Sequence, residues 1–99
     1  MTECKSAAII TLLGKKWNLL ILKHLSENEK ARFKDFINLG INPRILSSRL
    51  KELETVKMIE KEKFNTIPPK TEYSLTEAGK ELVDCFEKLD SWLEKWDVF

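Results

Sequence analysis

The chain has 99 residues, of which 42% are hydrophobic and 33% are charged, and its formal net charge is +1. This length fits one domain, and the composition is that of an ordinary globular protein. Hydrophobic runs stay well short of the roughly 18 residues that a membrane-spanning helix needs. The N-terminus lacks the pattern of a secretory signal, and two cysteines do not form a disulfide framework. We therefore expect a cytoplasmic protein with no membrane partner.

The small net charge conceals an uneven distribution along the chain. Residues 1–75 carry 14 Lys+Arg against 9 Asp+Glu, a net charge of +5. Residues 76–99 carry 3 against 7, a net charge of −4. Phosphate attracts the first part and repels the second, so the distribution favours nucleic acid as a partner of the first part. Chance segregation of surface charge is the alternative.

Two helices are predicted at the start of the chain. Residues 6–13 form a short apolar helix, and Gly14 suits its C-terminal cap. Residues 15–25 form a second helix with apolar groups on most of its circumference, as expected at the centre of a core. A very short edge strand is expected at Arg32-Phe33.

The next segment predicts a helix-turn-helix. Residues 33–39 form its first helix, and Gly40 permits the sharp turn that follows. Asn42 is a good N-cap for the second helix, and Pro43 fits the first helical position because its missing N–H has no partner there. The helical period then continues to Val56.

The second helix of this motif, residues 42–56, has an apolar arc opposite a basic and hydroxyl-bearing arc. The apolar arc consists of Ile45, Leu46, Leu50, Leu53 and Val56. The polar arc consists of Arg44, Ser47, Ser48, Lys51 and Thr55. Such a helix fits the major groove of DNA, where Arg reaches guanine and Ser or Lys reaches base edges or phosphate. An ordinary solvated helix face is the alternative. The candidate groove contacts are Arg44, Ser47, Ser48 and Lys51.

Arg49 is an exception, because it falls inside the apolar arc of the same helix. Its stem can pack against the core while its head reaches a nearby carboxylate or a phosphate. We expect a partly buried ion pair, with a phosphate contact as the alternative.

A β-hairpin is predicted after this helix. Residues 58–64 alternate as a strand, Pro68-Pro69 indicate the loop, and residues 71–75 alternate as the returning strand. A stiff basic loop beside a reading helix can hold the sugar-phosphate backbone or enter the minor groove. The candidate contacts of this wing are Lys61, Lys63, Asn65 and Lys70.

Thr76 predicts the N-cap of a last helix that extends close to Phe99. Its apolar residues repeat with heptad spacing, which predicts a seam for a partner helix. The simplest partner is the same helix of a second subunit, and the alternative is that the stripe folds back on its own domain. Cys85 is expected to be a small buried hydrophobic residue. The candidate dimer interface is Leu82, Cys85, Phe86, Leu89, Trp92, Leu93 and Trp96.

Motifs of catalysis and metal binding are lacking. The sequence has no Gly-rich phosphate loop, no nucleophile elbow and no Cys/His cluster at metal-ligand spacing. We therefore predict no enzyme activity, no metal and no cofactor. His24, the single histidine, is interpreted as a packing residue with one satisfied nitrogen. Cys4 is a candidate thiol sensor because the adjacent Lys5 and the helix start favour its thiolate, and an inert cysteine is the alternative.

Several segments, in this order, resemble the HxlR-type winged helix-turn-helix transcriptional regulators, relatives of the MarR group. The landmarks include Cys4, residues 13–17 (LGKKW), residues 41–46 (INPRIL) and, as the most specific, residues 68–79 (PPKTEYSLTEAG). The resemblance implies a homodimer held by the N- and C-terminal helices. Some members sense oxidants or electrophiles at the place of Cys4, but Lys5 stands where proline is common, so that role stays open here.

The sequence thus predicts a mainly α fold with a small β-hairpin. It is organised as one winged-helix domain over 1–99, with the helix-turn-helix at about 33–56, the wing at about 58–75 and the dimerisation helix at about 76–97. We expect a regulator that binds a palindromic operator in double-stranded DNA as a homodimer, with a thiol response through Cys4 as an additional hypothesis. The alternative is an interaction module that does not bind DNA. The sequence identifies no small-molecule or oxidant effector.

Overall fold

A computed structural model describes residues 5–97 of the chain. Helices predominate, with a small antiparallel sheet, which confirms the predicted mainly α fold. The elements in chain order are α1 (Lys5–Gly14), α2 (Asn18–Asn28), β1 (Lys30–Ala31), α3 (Phe33–Ile37), α4 (Pro43–Thr55), β2 (Ile59–Phe64), β3 (Lys70–Leu75) and α5 (Glu77–Trp96). Among the described helices, none combines the length and the apolarity needed to cross a membrane.

The predicted start of α2 was wrong by three residues. Trp17 has a φ of 83°, in the left-handed region, so the backbone turns there and the helix begins only at Asn18. The helix then runs to Asn28, past the predicted end at residue 25. The observed turn brings Lys15 and Asn18 next to the end of α1, where both make the polar contacts described below.

The helix-turn-helix has the predicted form with a shorter first helix. Helix α3 ends at Ile37, and Leu39, placed within this helix by the sequence, is 41% exposed in the turn. Gly40 has a φ of 97°, which confirms the need for glycine at this turn. The side chain of Asn42 accepts hydrogen bonds from the backbone N–H groups of Arg44 and Ile45, so the predicted cap of α4 is confirmed.

The sheet has the strand order β1-β3-β2 with both pairings antiparallel. The predicted edge strand exists, but it lies at Lys30–Ala31, two residues before the predicted position. The β2–β3 ladder runs from Ile59 opposite Leu75 to Phe64 opposite Lys70. The wing loop therefore comprises residues 65–69.

The core lies between α2, the helix-turn-helix and the sheet. Helix α2 supplies Ile21, Leu22 and Leu25, each at most 1% exposed. Leu19 and Leu20 are each 40% exposed, so the core covers one side of α2 and not most of its circumference as predicted. The remaining buried apolar residues come from every other element except α1 and from the turn before α4: Ala31, Phe36, Ile41, Leu46, Leu50, Leu53, Ile59, Leu75 and Val83. This core holds one side of α4 and leaves its other side free.

Helix α5 begins at a tight junction with the sheet. The Thr76 hydroxyl accepts a hydrogen bond from the N–H of Gly79 at 3.1 Å, as an N-cap does, and donates one to the carbonyl of Lys57 at 2.7 Å. A Cβ atom added to Gly79 would lie 2.1 Å from the carbonyl oxygen of Met58. The predicted cap is confirmed, and only glycine permits this approach of α5 to the backbone just before β2.

Candidate nucleic-acid interface

The predicted polar arc of α4 lies on the surface of the protein. Leu46, Leu50 and Leu53 face the core and are at most 2% exposed. The opposite side of the helix is exposed at every predicted position, namely Arg44, Ser47, Ser48, Lys51 and Thr55. We call these five residues the reading face. Their exposure agrees with the sequence analysis, and contact with DNA stays a prediction.

Two members of the predicted apolar arc were placed wrongly. Ile45 is 38% exposed and Val56 is 41% exposed. Each residue turns an α-helix by about 100°, so both lie roughly 80–100° to one side of the buried stripe formed by Leu46, Leu50 and Leu53. The core covers a narrower stripe of α4 than the sequence pattern indicated.

Arg49 lies on the same side of α4 but does not form the predicted ion pair. Its Nε donates a hydrogen bond to the backbone carbonyl of Lys16 at 3.0 Å. The ion pairs found among residues 5–97 do not include Arg49. The reason is the turn before α2, which brings an unpaired carbonyl oxygen within reach. Arg49 therefore ties α4 to the α1–α2 turn through the backbone.

A polar cluster that the sequence analysis missed lies beside Arg49. Glu52 of α4 forms an ion pair with Lys15, and the Nδ2 of Asn18 donates to Glu52 at 3.3 Å and to the carbonyl of Leu12 at 2.7 Å. Asn18 is completely buried, and its Oδ1 has no hydrogen-bond partner among residues 5–97. No pattern in the sequence pairs residues 34 positions apart. The cluster sets how α4 sits against α1 and α2.

The hydrogen bond from Lys15 lowers the pKa of Glu52 below 4.5, with smaller contributions from Asn18 and Arg49, while partial burial opposes the shift. A lowered folded-state pKa stabilises the fold above the unfolded pKa, and this contribution is lost as the pH falls through the folded pKa. We expect Glu52→Gln to lower the free energy of unfolding by about 1 kcal/mol at pH 7 and by less at pH 3. Urea unfolding at both pH values measures the difference.

The control for this experiment is Glu60→Gln. Glu60 is exposed, and the ion pairs found in the described part of the chain do not include it. Its substitution should change stability little at either pH. If both variants lose the same stability at pH 7 and pH 3, the ion pair of Glu52 does not contribute as described.

The predicted wing residues differ in their solvent exposure and in their contacts with other side chains. Lys61, Lys63 and Asn65 are exposed. Lys70 is half-buried at the base of the loop, where its Nζ lies 3.6 Å from a carboxylate oxygen of Glu72 and 5.0 Å from the ring centroid of Phe64. Lys61, Lys63 and Asn65 can therefore contact another molecule directly. Lys70 already contacts Glu72 and Phe64 of its own domain.

The apolar stripe of α5 is divided between two environments. Leu82 and Phe86 pack against the core of their own domain, as the fold-back alternative required. Leu89, Trp92 and Trp96 are 52%, 51% and 63% exposed, because α5 continues beyond the edge of the domain. Leu93 is intermediate. The outer half of the stripe is therefore exposed to solvent in the part of the chain that the structure describes.

The structure contradicts the predicted burial of Cys85 and confirms the predicted packing role of His24. Cys85 was predicted to be buried, but it is exposed on α5. His24 packs edge-on against Phe36 with ring centroids 5.3 Å apart, and its Nδ1 lies 3.3 Å from the side chain of Asn28, which confirms the packing role. Cys4 lies outside the described residues.

Comparison with known proteins identifies the family. A family model described as HxlR-like helix-turn-helix matches residues 12–98. YdeP of Bacillus subtilis strain 168, an uncharacterized HTH-type transcriptional regulator, is 37% identical over 95 residues, which are 94% of this chain and 73% of that protein.

Solved structures agree with this result. The reduced form of the transcriptional regulator YodB from B. subtilis is 34% identical and superposes with a TM-score of 0.83, covering 96% of this chain and 94% of that chain. The redox regulator HypR in its reduced form is 31% identical with a TM-score of 0.82, covering 93% and 92%. Residues 12–98, which the family model matches, contain the helix-turn-helix, the wing and α5. The chain therefore belongs to the HxlR-like helix-turn-helix family of transcriptional regulators.

Proposed function

We propose that this regulator binds double-stranded DNA in a sequence-specific manner by placing the reading face of α4 in the major groove. The observation that carries the proposal is that α4 has one buried apolar side and one exposed polar side. Three leucines anchor one side in the core, while two cations and three hydroxyl groups are exposed on the other. Arg provides bidentate recognition of guanine, and short hydroxyl side chains allow the helix to approach the groove closely. The net charge of +5 over residues 1–75 adds attraction to phosphate.

The proposal includes a homodimer held by the outer part of α5. Leu89, Trp92 and Trp96 form an apolar strip that the single chain leaves exposed. Two such strips related by a two-fold axis cover each other, and two-fold pairs are the commonest oligomers of soluble proteins. A two-fold dimer presents two reading faces, so the operator should be palindromic, with half-sites about 34 Å apart or a multiple of that distance.

Selection of bound duplexes from a random pool, followed by sequencing, tests the proposal. We expect enrichment of one palindromic sequence and an affinity that falls steeply as salt increases, because each phosphate contact releases counterions. Enrichment without symmetry would contradict the dimer alone. Absence of binding to any duplex at low salt would contradict DNA binding and favour the interaction module.

A thiol response through Cys4 is a further part of the proposal. Its support is the adjacent Lys5 together with two similar regulators: HypR is a redox regulator, and YodB has been solved both reduced and diamide-treated. We expect oxidant to change operator affinity in the parent protein and not in Cys4→Ser. Cys85→Ser is the matched control, because Cys85 is exposed and is the other cysteine. If oxidant still changes operator affinity in Cys4→Ser, Cys4 is not the thiol sensor.

A further inference from the structure

The side-chain polar contacts that tie α4 to the rest of the fold lie on one flank of this helix. Among residues 5–97, the hydrogen bonds and ion pairs between an α4 side chain and another segment come from Arg49 and Glu52 alone. Each residue turns an α-helix by about 100°, so these two residues lie roughly 70° and 130° from the middle of the buried stripe formed by Leu46, Leu50 and Leu53. Both lie on the same side of that stripe, so polar contacts hold α4 from one side only.

The apolar contacts of α4 only weakly fix its rotation about its own axis, which we call roll. The three buried leucines lie in one narrow row along the helix, and each is at most 2% exposed. Apolar attraction depends on the area removed from water and not on direction, so a small roll costs little while that row stays covered. A hydrogen bond requires a donor–acceptor distance of about 2.7–3.2 Å and a nearly straight angle. The contacts of Arg49 and Glu52, which lie off the row, therefore oppose roll directly.

Glu52 is held by two donors from the α1–α2 turn and the start of α2. Lys15 forms an ion pair with its carboxylate, and the Nδ2 of Asn18 donates to it at 3.3 Å and to the carbonyl of Leu12 at 2.7 Å. The Oδ1 of the buried Asn18 has no hydrogen-bond partner in the described part of the chain. An unpaired buried acceptor destabilises a fold, and an apolar side chain would avoid that cost. In return, the buried amide gives Glu52 a donor that is fixed in position.

Roll decides whether the reading face meets the bases in register. With its side chains an α-helix is about 10–12 Å wide, so a roll of about 10° moves the side-chain ends by about 1 Å. Bidentate recognition of guanine by arginine needs two hydrogen bonds at once, each within a range of about 0.5 Å, so this shift breaks it. The attraction between a cation and phosphate falls slowly with distance and survives the shift. Roll therefore affects discrimination between sequences more than affinity for any duplex.

We propose that Glu52, held by Lys15 and Asn18, fixes the roll of α4 together with Arg49 and thereby determines how strictly the reading face discriminates between base pairs. Glu52 is a positioning residue in this role, because it lies roughly 80° from the middle of the reading face and phosphate repels its charge. It acts through Arg44 and the other residues of that face. This proposal rests on the proposed function, because it requires α4 to lie in the major groove.

The test compares Glu52→Ala with Lys15→Ala, which remove the two partners of the same ion pair. The first variant removes a negative charge and the second removes a positive charge, so their general effects on attraction to phosphate are opposite. We measure the dissociation constants for the selected operator, for operators changed at single base pairs of each half-site, and for a duplex of random sequence. Discrimination is the ratio of the dissociation constants for the changed and the selected operator.

Both variants should lose about tenfold in discrimination, because each breaks the contact that fixes the roll. Their affinities for the random duplex should not fall together, since Glu52→Ala removes repulsion from phosphate and Lys15→Ala removes attraction. Lys15→Arg keeps the ion pair and should retain the discrimination of the parent. The side chain of Lys15 is 41% exposed, so its variants should fold even if Glu52→Ala does not.

Gly79→Ala is the control for a general loss of stability. Gly79 lies in α5, and the atoms that an added Cβ would meet belong to Met58 and Leu75, not to α4. This variant should unfold more easily than the parent, yet retain the discrimination of the parent under conditions in which circular dichroism shows it to be folded.

The failures are distinguishable. If the parent discriminates between operators and both Glu52→Ala and Lys15→Ala retain that discrimination, the positioning role is wrong and DNA binding by α4 stands. The role is also wrong if the two variants change discrimination in opposite directions, as charge alone would dictate, or if Gly79→Ala loses as much discrimination as they do. If the parent protein binds no duplex, both the proposed function and the positioning role are wrong.

Discussion

Gly79→Ala is expected to lower the free energy of unfolding by about 2–3 kcal/mol. A Cβ at this position would lie 2.1 Å from the carbonyl oxygen of Met58, and that carbonyl already accepts the N–H of Thr76 at 3.1 Å. Met58 precedes β2, and this hydrogen bond joins its carbonyl to the start of α5, so the clash cannot be relieved without straining the bond. Since small domains are stable by about 5–15 kcal/mol, the loss is large. Urea unfolding at fixed protein concentration measures it.

Gly14→Ala is the matched control for this prediction. Gly14 lies in α1, and a Cβ built there meets no atom within 4 Å. Because alanine has a higher helix propensity than glycine, this variant should be as stable as the parent or slightly more stable. Equal stabilities of the two alanine variants would show that the contact between Gly79 and Met58 relaxes at little cost.

Arg44→Ala is expected to weaken operator binding by about 1–3 kcal/mol and to relax specificity at one base pair of each half-site. Arg44 is the first cation of the reading face and is exposed at the N-terminus of α4, where a recognition helix presents its residues to base edges. Its backbone N–H donates a hydrogen bond to the Oδ1 of Asn42 at 2.9 Å, which fixes the backbone position from which the Arg44 side chain extends. Titration of the selected operator and of single-base variants measures both effects.

Arg44→Lys distinguishes the two ways in which Arg44 can contact DNA. Lysine keeps the charge but lacks the planar fork that binds guanine at two atoms. A base contact therefore predicts that Arg44→Lys remains weak and unspecific, whereas a phosphate contact predicts recovery of affinity. Lys88→Ala, on the acidic α5, controls for the change in net charge. Unchanged operator affinity in Arg44→Ala would show that Arg44 does not contact DNA.

Local signals correctly predicted the turn before α4 and the N-caps of α4 and α5. Gly40, Asn42, Pro43 and Thr76 each act within a few residues of themselves, through a positive φ, a cap or a missing N–H. Such effects depend on the neighbouring backbone and not on the rest of the fold, so they can be read from a sequence. The same holds for the exposed side of α4, because a helical period alone separates it from the leucine side.

Predictions that depended on which surfaces come together were less accurate. Ile45 and Val56 were assigned to the core from the periodicity of α4, but the core covers only the narrower stripe beneath them. Arg49 was paired with a carboxylate because an arginine near a core usually needs a charge partner, and the fold offered a carbonyl instead. Cys85 was assigned to the core from the apolar stripe of α5, but the neighbouring Val83 and Phe86 face the core while Cys85 is exposed.

By itself the sequence determined the order of the elements, the ends of α4 and the residues of its reading face, because caps, turns and helical periods act over a few residues. Only the tertiary structure decided that Asn18, Lys15 and Glu52 form one polar cluster. It also decided that Lys70 is engaged while Ile67 stands free at the wing tip. These outcomes depend on distances between segments far apart in the chain, which are set by how the whole core packs and not by any local pattern.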